Sequence, residues 1–463
     1  MTIHERFIGL DTIYPLADGS SKKRIHLDGA ASPLVMQDAM DAFNSLLPHY
    51  SNSHSHSHAS AQIMSDALNW SFETIFSTTN ANDEYCCVFM GSGSTALLNN
   101  IARRLSKMPE EKNIVLVSAL EHHANDLPHR HNARVIHFSL EGENQSQGDI
   151  DLNRLEEQLK KYQGQVRYVT FSAVSNVTGI VSPSKKITKL AHQYDAYSVI
   201  DCAQMAAHMP LNISETNADF VVFSGHKVYA GAAPGVMLAK HSLLEKYPSD
   251  EMGGGIVDHV GYRNTEFTRH YPARELAGTK NILGMFALAS VLNSLDQYGF
   301  NEVKKHGESL WQYAYENLSS IDRVTIYGES MRARIGALSF NIENIDHGLA
   351  ASILSDYYGI SVRNECFCAH PYVSSLLKEE LWSLDLSNIA DEDQESFIDR
   401  KRGMLRASFS LYNSQKDIDD LVRAIHDMIE KIEFYEKIYR PIANGDYVHN
   451  SFALDWKQFI HLP

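Results

Sequence analysis

Cysteine is scarce in this chain. There are five in 463 residues, an odd number, at positions 86, 87, 202, 366 and 368. So sparse and odd a set excludes a disulfide-stapled framework and points to a reducing compartment. No apolar run approaches the roughly 20 residues that a membrane helix needs. The first 28 residues mix Glu5, Asp11 and Asp18 with their basic residues and have no apolar signal core, so they do not read as a signal or transit peptide. Positive charge is short as well. Lys and Arg total 41 against 57 Asp and Glu, a net charge of −16, which argues against nucleic acid or an anionic membrane as a partner. The 23 His add titratable groups below neutral pH without reversing that balance. Internal repeats and linkers rich in Pro, Gly or Ser are absent too, and low complexity is confined to Ser51–His58. The default expectation is a cytoplasmic enzyme.

What is present is an ordinary globular composition, 44% hydrophobic, long enough for two or three packed domains. Short β-branched apolar runs recur at Tyr85–Phe89, Ile114–Ser118, Arg134–Phe138, Val166–Phe171, Tyr197–Ile200, Phe220–Phe223 and Gly235–Ala239. Amphipathic stretches such as Asp151–Tyr162 and Lys185–Tyr194 lie between several of them. That alternation predicts an α/β fold with a mainly parallel seven-stranded sheet. Residues 280–300 read as a long helix of small and apolar residues. After it, strands are expected at Val324–Tyr327, Ala337–Asn341 and Ser361–Arg363, and helices at His347–Tyr358 and Asp417–Ile432. The expected division is a large domain over 30–290 and a smaller α+β unit from 1–29 and 291–463. A cleft between them is the natural place for a small-molecule site.

Four stretches carry chemistry in their own right. Ser224-Gly-His-Lys227 places a lysine at the carboxyl end of an apolar strand, followed by the tight turn Gly231-Ala-Ala-Pro-Gly235. Held rigidly and desolvated, such a lysine has a lowered pKa and can form a Schiff base with an aldehyde. Asp201, in Asp201-Cys-Ala-Gln204, also ends an apolar strand, where a carboxylate needs a cationic partner such as a protonated pyridine nitrogen, or serves as a helix cap. Met90-Gly-Ser-Gly-Ser-Thr-Ala96 opens a helix with free backbone N–H groups suited to a phosphate, without the lysine of a nucleotide-binding loop. Glu121-His-His-Ala-Asn125 follows another strand, and an imidazole there can stack on an aromatic cofactor.

In this order, together with Ser175-Asn-Val-Thr-Gly179 and Ala277-Gly-Thr279, these motifs resemble the class V, fold-type I family of pyridoxal phosphate enzymes over roughly residues 25 to 430. More narrowly they resemble its cysteine desulfurase and selenocysteine lyase branch. The resemblance implies pyridoxal 5'-phosphate as cofactor, bound covalently to Lys227, which later shuttles protons. It implies that His123 stacks on the ring and acts in catalysis, and that Asn176 meets the ring 3-oxygen and the substrate. Asp201 would pair with the pyridinium and Gln204 support a ring substituent. Ser94, Thr95, Ser224 and His226 would hold the phosphate, with Thr279 reaching the phosphate of a second subunit in a homodimer. Arg406, in Leu405-Arg-Ala-Ser-Phe-Ser-Leu-Tyr-Asn413, would clamp the substrate carboxylate, a task suited to a planar guanidinium. In Arg363-Asn-Glu-Cys-Phe-Cys-Ala-His-Pro371, Cys368 falls on the nucleophile position, where it would take sulfur from L-cysteine as a persulfide and pass it to an acceptor protein. His370 or His123 could assist that thiol.

The pattern departs from the branch in places. Ala96 follows Thr95 where Glu is common, and Glu365-Cys366-Phe367 replaces a stretch that usually has Gly or His. About 34 residues separate Pro371 from Arg406, leaving an acidic lid insert over about 372–402. Cys366 is open to several readings: apolar filler, disulfide partner, persulfide relay or metal ligand. His54, His56 and His58 are read as polar residues near the cofactor mouth, with no metal site assigned. Two other functions compete: a class V aminotransferase, epimerase or C–S lyase that ignores the thiol, and a non-catalytic scaffold or sulfur-carrier partner that keeps the fold.

Overall fold

In the computed structural model, residues 2–53, 55–141, 148–328, 332–377, 394, 397–398, 400–442 and 445–460 are described. The seven apolar runs form one sheet: β1 (Tyr85–Met90), β2 (Ile114–Ser118), β3 (Arg134–Phe138), β4 (Val166–Ser172), β5 (Tyr197–Asp201), β6 (Phe220–Ser224) and β7 (Gly235–Lys240). Their spatial order is β1-β7-β6-β5-β4-β2-β3. All run parallel except β7, which is antiparallel to both neighbours. The reason is the connection: Gly225–Pro234 is shorter than the dozen or so residues a parallel crossover takes, so β7 must turn back on β6. Every residue of β4 is buried, as expected where helices cover both faces of a parallel sheet.

Helices Ala59–Thr79 and Ile282–Tyr298 pack against each other, and the second explains the small and apolar run at 280–300. A second core forms around an antiparallel sheet of β8 (Val324–Tyr327), β9 (Ala337–Ile342) and β10 (Leu405–Ser408), covered by helices His347–Tyr358 and Gln415–Glu430. The helix Phe300–Leu318 spans the two cores: Phe300 and Val303 pack in the first, Leu310, Trp311, Ala314 and Leu318 in the second. Phe7, Cys366, Phe367 and Tyr412 also pack in the first core, so the terminal thirds of the chain brace the large sheet as well as the small one.

The last strand expected, Ser361–Arg363, is shorter and earlier, at Ile360–Ser361. It pairs in parallel with Ile25–His26, and Arg363 makes a backbone bridge to Arg406. The lid insert expected at 372–402 lies mostly outside the described residues, and the helix His370–Leu376 leads into it. Beyond the Gln415–Glu430 helix, Tyr439–Pro441 pairs with Tyr447–His449 and packs on the His347–Tyr358 helix. Trp456 and Phe459 stay exposed, with Phe459 touching Tyr14. Among the described residues no helix is long and apolar enough to cross a membrane.

Candidate active site

β1, β2, β4, β5 and β6 all end at the same edge of the sheet, and their carboxyl ends frame a cavity of about 290 Å³. This is where ligands bind in open α/β sheets. Each strand delivers residues: Ser92, Ser94 and Thr95 after β1, His122 after β2, Ser172 and Asn176 from β4 and beyond, Asp201 and Gln204 from β5, Ser224, His226 and Lys227 from β6. The C-terminal part of the chain closes the opposite wall with Arg363, Phe367, Cys368 and Arg406.

The floor depends on close backbone approach. Gly93 has φ +60°, and a Cβ there would stand 2.5 Å from Ser224 Oγ. Ser224 Oγ accepts from the Ser94 N–H at 2.8 Å and lies 2.9 Å from Ser94 Oγ. The N-terminus of the helix Gly93–Leu105 is thereby fixed beside Thr95 and His226, a cluster of donors suited to a phosphate.

Asp201 is 5% exposed, and one of its oxygens accepts from the Ala203 N–H at 2.9 Å. Burial raises its pKa, opposed by that N–H, by Lys227 and by Ser94. A buried carboxylate so placed favours a cation. Burial lowers the pKa of Lys227; Asp201 and Cys368 pull it up, and Arg406 pushes it further down. The lysine is therefore biased toward the free amine.

His122, not His123, lines the cavity. The backbone explains the difference: His122 is extended and its Nδ1 accepts from the Ala124 N–H at 3.0 Å, while His123 begins a tight turn that carries its ring away. Burial, with the Lys227 charge beside it, pushes His122 down to about 4, so its ring is neutral at pH 7. The imidazole expected in the cavity from His123 is supplied by His122 instead. His123 Nε2 instead lies 2.9 Å from His370 Nδ1.

Beneath His122, Glu121 is fully enclosed. It accepts from Ser118 Oγ, from Ser172 N–H and Oγ at 2.7 and 2.6 Å, and from Asn125 Nδ2 at 2.6 Å. Burial outweighs these donors and raises its pKa from 4.5 to about 7. The folded state thus holds a proton that the unfolded chain has lost, so this contribution to stability is present below about pH 4.5 and is lost as pH rises through about 7. Denaturant midpoints of Glu121→Gln measured from pH 4.5 to 8 are expected to lack that decline. A parallel decline in variant and parent would assign it to another group.

The Cys368 loop is held in an unusual conformation. Glu365, Phe367 and Cys368 have φ of 79°, 52° and 55°, a region costing roughly 1–3 kcal/mol for each such residue. Hydrogen bonds from several segments impose it: Asn176 Nδ2 to the Phe367 carbonyl at 2.7 Å, the His123 N–H to the Cys368 carbonyl at 2.7 Å, and the Met404 N–H to the Glu365 carbonyl at 3.1 Å. Asn176 thus has a loop-anchoring contact besides facing the cavity. Cys368 is exposed, while Cys366 is buried with its thiol donating to the Arg402 carbonyl at 3.2 Å, and neither is in a disulfide. Cys366 is accordingly a packed thiol outside the cavity.

Gln204 Nε2 donates to the Ala30 carbonyl at 2.7 Å. Thr279 lies outside this cavity, in a neighbouring pocket with Gly91, Ser92 and Lys280. His58 caps the helix Ala59–Thr79, and His54 lies outside the described residues. Among the described residues no three His, Cys, Asp or Glu side chains converge on a metal position. Sequence reasoning missed His122, Arg363, Ser172 and the Ala30–Ala31 wall. The first His after a buried Glu was the one available signal.

The family model for aminotransferase class-V matches residues 25–421. The chain belongs to this family. A probable cysteine desulfurase of Halalkalibacterium halodurans is 30% identical over 432 residues, covering 92% of this chain and 97% of that protein. One from Staphylococcus aureus strain Mu50 is 31% identical over 417 residues, covering 89% and 94%. Among solved structures, the apo cysteine desulfurase of Thermococcus onnurineus NA1 superposes with a TM-score of 0.77 at 25% identity, covering 88% of this chain and 95% of that one. The cysteine desulfurase CsdA of Escherichia coli gives 0.74, also at 25% identity, covering 88% and 95%. The fold is therefore fold-type I, and this class V enzyme uses pyridoxal 5'-phosphate. The residues present fit that group: a Ser/Thr/His cradle at a helix N-terminus, a buried carboxylate lacking a full cationic partner, a neutral imidazole and a lysine biased toward its free amine.

Proposed function

We propose that this class V enzyme is a cysteine desulfurase that moves sulfur from L-cysteine onto Cys368 and releases L-alanine. The observation that carries the reading is the exposed Cys368 thiol in the same cavity as Lys227 and Arg406. We assign Lys227 to covalent cofactor attachment, Asp201 to the pyridinium, and His122 to the ring face. Ser94, Thr95, Ser224 and His226 take the phosphate, Gln204 supports the ring, and Arg406 takes the substrate carboxylate. The bound cofactor withdraws electrons from the substrate Cα. Lys227, whose hold on its proton burial weakens, moves protons at that carbon. Cys368 Sγ, as thiolate, attacks the substrate sulfur. The S–S bond forms as the substrate Cβ–S bond breaks, its electron pair stays with the carbon, and protonation gives alanine. A thiolate is required because the thiol is a poor nucleophile.

Product analysis with L-cysteine and a reductant tests the reading. Alanine and sulfide in equal amounts, lost in Cys368→Ala while the lysine-bound absorbance persists, are the expected result. Pyruvate with ammonia, or alanine formation surviving in Cys368→Ala, would assign a lyase or a thiol-independent reaction instead.

We also read the enzyme as a cytoplasmic homodimer that hands sulfur to an acceptor protein. Five cysteines and no disulfide among the described residues support the compartment. Thr279, beside the phosphate loop yet outside the Lys227 cavity, supports a site shared between two copies. The exposure of Cys368 supports transfer to a partner.

A further inference from the structure

Arg406 is the most enclosed cation of the cavity, 2% exposed, with its guanidinium 4.8 Å from the centre of the Phe367 ring. Nη1 donates to the Asn176 carbonyl at 2.8 Å and Nη2 donates to Asp28 Oδ1 at 3.1 Å, while Nε is buried with no partner among the described residues. A guanidinium is a rigid plane, so anchoring two of its nitrogens aims the third. The edge formed by Nε and the second N–H of Nη2 is the fork that a carboxylate accepts side-on.

Asp28 is itself held firmly. Backbone hydrogen bonds tie Leu27 to Ser361 at 2.8 Å and to Ser408 at 2.7 Å, and the Ala30 N–H donates to Ser408 Oγ at 2.9 Å. At the next residue, Gly29, a Cβ would come within 2.0 Å of Ser410 Oγ, so the backbone here packs directly against the chain that follows β10. Asp28 thus stands on a fixed mount at the junction of the two cores, while Ala30 and Ala31 beside it form part of the cavity wall.

We propose that Asp28 is a positioning residue for the substrate carboxylate: with the Asn176 carbonyl it holds Arg406 so that its Nε–Nη2 edge is the one presented to the cavity. The inference rests on the substrate reading above. Electrostatics makes it sharp, because the two roles open to Asp28 have opposite signs. If Asp28 only neutralises Arg406, it competes with an anionic substrate, and its removal tightens carboxylate binding. If it aims Arg406, its removal weakens carboxylate binding and leaves a substrate without a carboxylate unaffected.

The test uses the cofactor-loaded enzyme. Its absorbance is titrated with L-alanine and with cysteamine, which lacks the carboxylate, and steady-state rates are measured with L-cysteine. In Asp28→Asn we expect the L-alanine dissociation constant and the KM for L-cysteine to rise roughly tenfold. The value of kcat should stay within about twofold of the parent, and cysteamine binding should be unchanged. Asp28→Glu keeps the charge on a longer arm and is expected to fall between the two, which also provides a reading should Asp28→Asn fail to fold. Unchanged or tighter L-alanine binding overturns the proposal, as does an equal loss for cysteamine, which would mark a merely structural role. Failure of the substrate reading shows earlier and elsewhere: the unsubstituted enzyme would give no absorbance response to any α-amino acid, and the proposal would fall with it.

Discussion

Lys227→Ala is expected to abolish the lysine-bound absorbance and to lower turnover by at least about 10³-fold while leaving the fold intact. Lys227 sits just past β6, where Ser224 and the Gly225–Pro234 connection fix its backbone. Its amine lies in a field set by burial first, then by Asp201, Arg406 and Cys368. Alanine removes both the nitrogen that attaches the cofactor and the base that moves protons at the substrate carbon, and no neighbouring group can take over. His122 is held neutral but sits on another strand's loop, and a guanidinium such as Arg406 is no general base. Lys227→Arg should be nearly as inactive, since a guanidinium that cannot lose its proton cannot form the bond. Absorbance spectra and single-turnover rates check this. Turnover above about a tenth of the parent's in either variant would move the attachment site elsewhere.

Breaking the Arg104–Glu275 pair is expected to cost about 3–5 kcal/mol of stability. Both side chains are enclosed, at 0% and 3% exposure, and Arg104 Nη2 lies 2.5 Å from Glu275 Oε2. Arg104 also donates to the Tyr247 carbonyl at 2.6 Å, so the guanidinium ties three segments together. One of them is the helix Gly93–Leu105, whose other end forms the phosphate floor, and another leads directly into Ala277–Thr279. Glu275→Leu alone leaves a buried cation with only neutral partners. Arg104→Met/Glu275→Leu removes both charges, and is expected to recover most of the loss. Denaturant unfolding of the two single variants and the double variant measures the difference. Near-additive losses would show that the pair is not coupled. The single variants should also weaken cofactor retention, since the helix that presents Ser94 and Thr95 would lose its anchor.

The loop bearing Cys368 shows how these parts cooperate. Three left-handed residues without a glycine among them are stable only because Asn176, His123 and Met404 impose the shape from three different segments. The same Asn176 receives Arg406 through its carbonyl. The carboxylate clamp and the thiol loop are therefore mechanically joined, which suits a reaction in which the substrate's carboxylate and its sulfur must be placed together.

Much of the architecture was determined by the sequence itself. The sequence pattern located all seven strands of the large sheet to within a residue at either end; for six of them the reason is that a strand buried on both faces reads as a near-continuous apolar run, while the edge strand Arg134–Phe138 is partly exposed. The family resemblance carried by the order of motifs marked Lys227, Asp201, Asn176 and Arg406 for one site, and the cavity brings all four together. What one dimension does not encode is which way a side chain turns. His122 and His123 are adjacent and identical, and only the tight turn at His123 decides that the first faces the cavity and the second meets His370. Nor does local pattern reveal that Asp28, 378 residues away, would pair with Arg406, or that Thr279 would lie in a separate pocket from Lys227. Periodicity reports burial, which is a property of each residue's own surroundings. Orientation and long-range pairing are properties of how the two cores close on one another, and only the folded chain decides them.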